Sequence, residues 1–311
     1  MTEKRIIAVG HAALDYVYQI KKFPSAPTKL RATEHIASGG GMAANAAAAI
    51  AKLGGKASLW SRIGDDDAGA IIVQQLRRGG VDTKHVRAFG TTRSPTAAVI
   101  VDERGERLIV SEDDHNLPLN EDWLPIADIE TAAAVFSDLT WLEGTLAAFQ
   151  AARAHGIPTV LDIDLGSGML LQKVIGLTDY AIFSAPAFRS FVHGESDEER
   201  LAHLISLGVR HAGVTRGADG YHWANKDGET GQQPAFQVKT VDGTGAGDAF
   251  HGAFTWALAA GCDETECARL ASAVAAMNCR KLGARAGLPK KPELDAFLSA
   301  QPQNAEEPPT N

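Results

Sequence analysis

The stretch Val241-Asp242-Gly243-Thr244-Gly245-Ala246-Gly247-Asp248-Ala249-Phe250 limits what this chain can fold into more than any other. Three glycines alternate with small residues and lead directly into Asp248, and the apolar segment 249–260 that follows has helical length and stops at Gly261. Upstream, residues 235–241 alternate like a strand, with Phe236, Val238 and Val241 on one side. Strand, glycine loop and helix in that order gather backbone N–H groups at a helix N-terminus, where donors and dipole together bind an anion. Gly245 and Gly247 let the main chain approach a ligand with no Cβ in the way. A carboxylate at 248 is an odd neighbour for a bound anion unless it handles a proton. Phosphoryl transfer to a hydroxyl needs both parts: backbone donors at Gly245, Ala246 and Gly247 for the moving phosphoryl, and Asp248 as general base. The plainer alternative is a glycine turn whose aspartate caps the helix. The G-x-G-x-G spacing is not the dinucleotide fingerprint, and no Gly-Lys-Ser/Thr follows as a P-loop requires.

Along the rest of the chain, short apolar runs alternate with helical patterns. Residues 6–10, 57–63, 132–137, 159–163, 180–183 and 212–215 read as strands; 41–53, 68–79, 146–155, 170–177 and 196–207 read as helices. This alternation predicts an α/β fold with a mostly parallel sheet covered on both faces. Two pieces break the pattern. Residues 13–20 with 29–37, and 97–101 with 108–111, read as antiparallel pairs, the second turning around Asp102-Glu103-Arg104-Gly105-Glu106. Neither pair completes a core alone, so both are expected in a small sheet set against the main one.

Composition narrows the function classes. A formal charge of −8 with no Lys/Arg-rich run argues against a nucleic-acid partner. Cys262, Cys267 and Cys279 form no C-x-x-C and suggest a reducing compartment. The apolar run after Glu3-Lys4-Arg5 is too short for a signal peptide, and no 18-residue apolar run occurs, so no membrane partner and a cytoplasmic location are expected. Residues 301–311 read as a disordered polar tail. The ten histidines show no metal-binding spacing, Asp65-Asp66-Asp67 lacks the pattern of a calcium loop and reads as helix capping, and Gly166-Ser167-Gly168 is not a nucleophile elbow. Gly40, Gly41 and Asn45 sit where the chain enters an Ala-rich helix; glycine there admits a polar ligand, and an Asn amide can donate and accept at once.

Asp242-Gly243-Thr244-Gly245-Ala246-Gly247-Asp248 resembles the second signature of the ribokinase-like (PfkB) family of carbohydrate kinases. Gly39-Gly40-Gly41-Met42-Ala43-Ala44-Asn45, with Leu53-Gly54 and Ile63-Gly64-Asp65-Asp66-Asp67-Ala68-Gly69, resembles the first. Further matches at Asp15, at Val214-Thr215-Arg216-Gly217-Ala218-Asp219-Gly220 and at Gly283-Ala284 spread the likeness over nearly the whole chain. The resemblance implies a three-layer α/β/α kinase domain over residues 1–300, with a β-sheet lid drawn from about 12–37 and 96–112. It implies ATP and Mg²⁺ as cofactors, with K⁺ as a further candidate, and a homodimer formed through the lid. It places sugar contacts at Asp15, Gly40, Gly41 and Asn45, and nucleotide contacts at Thr215, Gly217, Gly220 and Gly283.

This chain departs from the family at one place. Many members carry Asn-x-x-Glu after a strand; the corresponding segment here is Ser184-Ala185-Pro186-Ala187, which leaves the metal ligands unassigned, with Asp162 or Asp164 as substitutes. Over most of its length the chain looks similar to the sulfofructose kinase branch, and Lys29 matches the lysine of that branch. The arginine and asparagine expected with it fall on Thr140 and Ser111, however. A pocket without its guanidinium favours a neutral sugar over a sulfonate. The reading is therefore an ATP-dependent kinase of a neutral sugar, with a sulfofructose kinase, a nucleoside kinase and a catalytically weak sugar sensor as alternatives.

Overall fold

The computed structural model describes residues 4–112, 116–165 and 168–301; the expectations for the 301–311 tail and for Gly166 and Ser167 therefore fall outside it, Gln301 apart. The chain opens with β1 (Arg5–Val9), β2 (Ala13–Gln19), β3 (Glu34–Gly40), α1 (Met42–Lys52), β4 (Lys56–Gly64), α2 (Asp67–Arg78) and β5 (Asp82–Phe89). It continues with β6 (Thr96–Val101), β7 (Arg107–Glu112), β8 (Ala134–Ser137), α3 (Leu142–Ala154), β9 (Thr159–Ile163), α4 (Gly168–Val174), β10 (Tyr180–Ser184), α5 (Ala185–Phe191) and α6 (Asp197–Ser206). The C-terminal part adds β11 (His211–Thr215), β12 (Tyr221–Asn225), β13 (Thr230–Gln233), α7 (Ala246–Ala259), α8 (Glu264–Asn278) and α9 (Lys291–Ser299).

A nine-stranded sheet runs β13-β12-β11-β10-β9-β8-β1-β4-β5. It is parallel except for β12 and β13, which pair antiparallel at one edge. Its inner strands read as unbroken apolar runs because both faces are covered. In β1, Ile6 and Ala8 pack toward α1, α2, α7 and α8, while Ile7 and Val9 pack toward α3, α5 and α6. The Ala-rich α1 is buried from Ala43 to Ile50, and its small side chains let α7 come close: a Cβ on Gly252 would lie 2.4 Å from the Ala46 carbonyl oxygen. Asp66 caps α2 by accepting the Gly69 N–H at 2.8 Å, as the aspartate run suggests.

A second sheet of four strands, β3-β2-β6-β7, forms the lid. The two expected antiparallel pairs are present, and the parallel pairing of β2 with β6 joins them. Val17, Ala97, Val99 and Val101 form its buried face with Leu282. Residues 235–241 form no strand. Pro234 breaks the ladder and Val241 donates its N–H to the Cys279 carbonyl, while Phe236 owes its place to edge packing on Phe297.

The two sheets meet at Asp138, just past β8. Its Oδ2 accepts the N–H of His11, at the start of the lid crossover, and of Ala43, in the first turn of α1, both at 2.8 Å. Its Oδ1 accepts the Thr140 N–H at 3.0 Å and the Thr140 hydroxyl at 2.7 Å. Asp138→Ala would remove the acceptor of the buried Ala43 N–H and of three further donors around it. Urea unfolding should show a loss of roughly 2–4 kcal/mol; a loss under about 0.5 kcal/mol would show that water replaces the carboxylate without penalty.

Candidate active site

The glycine loop delivers Asp248 to the first turn of α7. Gly245 caps that helix in the left-handed region at φ +73, and a Cβ there would sit 2.7 Å from Ala284, so only glycine fits. Asp242 braces the loop: Oδ1 accepts the Thr244 N–H and Oδ2 the Gly283 N–H, each at 2.8 Å. The Ala246 N–H turns back to the Gly243 carbonyl at 3.3 Å. Of the three expected donors only Ala246 is thus engaged; among the described residues, the N–H groups of Gly245, Gly247 and Asp248 meet no such acceptor. They are the donors left at the helix end, and open space lies beside the Gly247 Cα.

Asp248 does not cap its own helix. Its Oδ2 accepts from the Asn45 side-chain amide at 2.6 Å, across from α1. The Asn45 Oδ1 in turn accepts from Arg285 Nε at 2.6 Å, and Arg285 Nη2 donates to the Gly40 carbonyl at 2.8 Å. Asp15, at the base of the lid on β2, packs so closely over Gly40 that a Cβ there would lie 2.1 Å from its carboxylate. Gly41 takes φ +85 as α1 begins and touches the His11–Ala12 backbone. The residues expected to hold the sugar, Asp15, Gly40, Gly41 and Asn45, thus converge on Asp248.

Electrostatics follow from this crowding. Burial raises Asp248 to about 6 against the opposing Asn45 hydrogen bond, and Asp138, Asp15 and Asp164 push the same way. Burial raises Asp15 to about 6 as well, moderated by Arg285. The same burial lowers Arg285 to about 10, which leaves it charged at neutral pH. On the buried side of α7, His251 Nδ1 lies 2.7 Å from the Gly247 carbonyl and 3.4 Å from Asp162. Burial lowers His251 to about 4 and raises Asp162 well above the usual carboxylate range, so the two meet as neutral groups.

Other expected residues lie elsewhere. Lys29 is exposed between β2 and β3, and no hydrogen bond or ion pair ties it to Asp15, Asn45 or Asp248. Thr140 spends its hydroxyl on Asp138, and Ser111 is exposed on β7. Thr215 ends β11 and is followed by the left-handed Gly217 and Gly220, at the C-terminal edge of the sheet where such folds bind ligands. Gly283 presents no free donor, since Asp242 takes its N–H; its bare Cα instead faces Ile36 and Ser38 of the lid. Ser184 caps α5 through the Ala187 N–H and donates to Asp164 Oδ1 at 2.7 Å. Sequence reasoning missed Arg285 and Asp138. A lone charge inside the small-residue run Gly283-Ala284-Arg285-Ala286-Gly287 was the available signal for the first.

Because Asp248 is raised in the folded protein, it favours folding most when protonated: that contribution is whole below the usual carboxylate pKa and fades as pH rises through about 6. Asp248→Asn should therefore melt higher than the parent at pH 7.5, and the advantage should vanish near pH 4. A melting difference independent of pH would show that the carboxylate is ordinarily solvated.

Comparison with known proteins gives the family and the fold. The pfkB family carbohydrate kinase profile matches residues 3–291. The ribokinase of Bacillus subtilis is 28% identical over 95% of this chain and 100% of its own length. An ATP-dependent ribose-1-phosphate kinase of Halopiger xanaduensis is 30% identical over 95% and 98%. A crystal structure of a candidate ribokinase from Agrobacterium tumefaciens superposes with a TM-score of 0.91 at 34% identity, covering 96% of this chain and 98% of that one. The expected kinship with sulfofructose kinases is not borne out, since these relatives carry ribokinase and ribose-1-phosphate kinase names. With two signatures, fold and profile in accord, the chain belongs to the PfkB family of carbohydrate kinases and has the ribokinase-like fold.

Proposed function

We propose that this protein transfers the γ-phosphoryl group of ATP to a hydroxyl of a neutral sugar, with residues 1–300 acting as one kinase unit. The observation that carries the reading is the placement of Asp248: a carboxylate raised to about 6, beside the open N–H groups of Gly247 and Asp248 and facing the Asp15–Gly40–Asn45 cluster. In this reading Asp15 and Asn45 hold sugar hydroxyls, the ionised Asp248 accepts the proton of the attacking hydroxyl, and the helix end stabilises the moving phosphoryl. Thr215, Gly217 and Gly220 border the nucleotide. Magnesium, when bound, neutralises phosphate charge. The donor set fits a largely hydrated ion: Asp164, exposed and steadied by Ser184, would hold its waters, whereas Asp162 is kept neutral by burial.

A neutral substrate is favoured because several carboxylates (Asp15, Asp138, Asp164 and Asp248) surround the site and Arg285 is already bonded to Asn45 and Gly40. Ribose is the first candidate, given the ribokinase relative. In a panel of ribose, 2-deoxyribose, fructose, ribose 1-phosphate and inosine, read by ADP release, a neutral sugar should give the highest kcat/KM. A tenfold preference for ribose 1-phosphate or inosine would overturn this reading. With the preferred sugar, kcat should fall as pH drops through about 6, where Asp248 takes up its proton. Asp248→Asn should lower kcat by about 10²–10⁴-fold, and more than a tenth of the parent rate would exclude the base role.

The lid supports a homodimer. Strand register places Tyr16, Ala98 and Val110 in one row and Tyr18, Ile100 and Leu108 in the next, on the face opposite Val17 and Val99. Val110 is 62% exposed and Leu108 51%, a contiguous apolar face that a second copy would cover. Val110→Glu should convert a dimer to a monomer in sedimentation; a monomeric parent protein would refute the assembly.

A further inference from the structure

The Gly39-Gly40 pair makes room for protein groups as well as for a ligand. A Cβ on Gly39 would lie 2.1 Å from Arg285 Nη1, and a Cβ on Gly40 would meet the Asp15 carboxylate at the same distance. The end of β3 is thus stripped of side chains where the guanidinium passes. The backbone that carries Arg285 is fixed too. The buried side-chain amide of Asn278 donates to the Ala284 carbonyl at 2.9 Å and faces the Thr244 carbonyl at 3.4 Å, tying the turn to the glycine loop.

From this anchored position Arg285 addresses one atom that matters for the chemistry. An Asn side chain can rotate its amide by half a turn and exchange oxygen for nitrogen at little cost. Here the Arg285 Nε–H meets Asn45 Oδ1, which forces the Asn45 NH₂ to the other side, where it donates to Asp248 Oδ2. That bond occupies one carboxylate oxygen and leaves Oδ1 as the basic one. The planar guanidinium makes two bonds in a fixed fork, to Asn45 and to Gly40, and an ammonium cannot reproduce both.

We propose that Arg285 is a positioning residue for phosphoryl transfer: through the Asn45 amide it sets which oxygen of the Asp248 carboxylate faces the sugar hydroxyl. The proposal rests on Asp248 being the general base. Arg285 need not touch sugar or nucleotide to exert this effect. Its charge also opposes that of Asp15 and Asp248, so a simple counter-ion role is the rival explanation. Asp138, Asp162 and Asp164 face Asp248 from β8 and β9 and remain in every variant.

The test uses the full chain with D-ribose and Mg-ATP. Arg285→Gln, Arg285→Lys and Gly39→Ala are compared in the parent and in the Asp248→Asn background, each first shown to melt cooperatively. Gly39→Ala displaces the guanidinium without removing it, so the question stays decidable even where Arg285→Gln does not fold. All three should lower kcat by about 10–100-fold, the scale of a misplaced reacting group, with KM for ATP unchanged. Arg285→Lys should keep the acidic limb of the kcat profile near that of the parent without restoring kcat. None should lower the residual rate of Asp248→Asn by more than about twofold. Restoration of kcat by Arg285→Lys would assign a counter-ion role. Unchanged kcat with a raised sugar KM, or an equal loss in the Asp248→Asn background, would overturn the positioning role while leaving the base intact. A near-parent rate in Asp248→Asn alone would remove the base reading, and this inference with it.

Discussion

One buried carboxylate holds the functional half of the molecule together. Asp138 takes donors from the lid crossover, from the first turn of α1 and from the start of the segment leading to α3. Such a set is worth far more inside a protein than at its surface, because no water competes for the lone pairs. Gly10 is the counterpart requirement: it adopts φ +143, and a Cβ there would sit 2.0 Å from the Asp138 carboxylate. Only after these contacts form are Asp15, Gly40 and Asn45 held at fixed distances from the main sheet. The site is thus built on the junction of two sheets, each of which already has its own apolar core.

A second constraint is the balance of charge. Several carboxylates approach one another around the end of α7, and the interior cannot hold them all ionised. The protein divides the task. Asp162 is kept neutral by burial next to an equally neutral His251, Asp164 is left exposed with Ser184, and Asp15 and Asp248 share Arg285. The two acids nearest the proposed sugar position are the ones raised to about 6, so they remain ionised at neutral pH yet basic enough to accept a proton.

Much of this was legible in the sequence where the signal was local. The glycine loop into Asp248, the β/α alternation and the lid pairs all follow from periodicity over a few residues. Strand β5, Asp-Thr-Lys-His-Val-Arg-Ala-Phe, escaped because an edge strand is half solvated and shows no apolar run. Strand β13, Thr-Gly-Gln-Gln, carries no pattern at all and exists because β12 offers it a ladder. Residues 235–241 erred in the opposite direction, since alternation there reflects packing on Phe297 and the lid. Arg285 was hidden for a different reason: its partners come from the other end of the chain, and no short window contains both.

That separation bears on how the protein comes into being. The Asn45–Asp248 bond spans 203 residues and the Arg285–Asn45 bond 240. Loops of that length close late, after the helices and neighbouring strands have formed. During synthesis the ribosome must release most of the chain before these pairs can meet, and until then the α1 face awaiting α7 stays uncovered. Recovery of turnover after dilution from denaturant should therefore lag behind the return of helical signal.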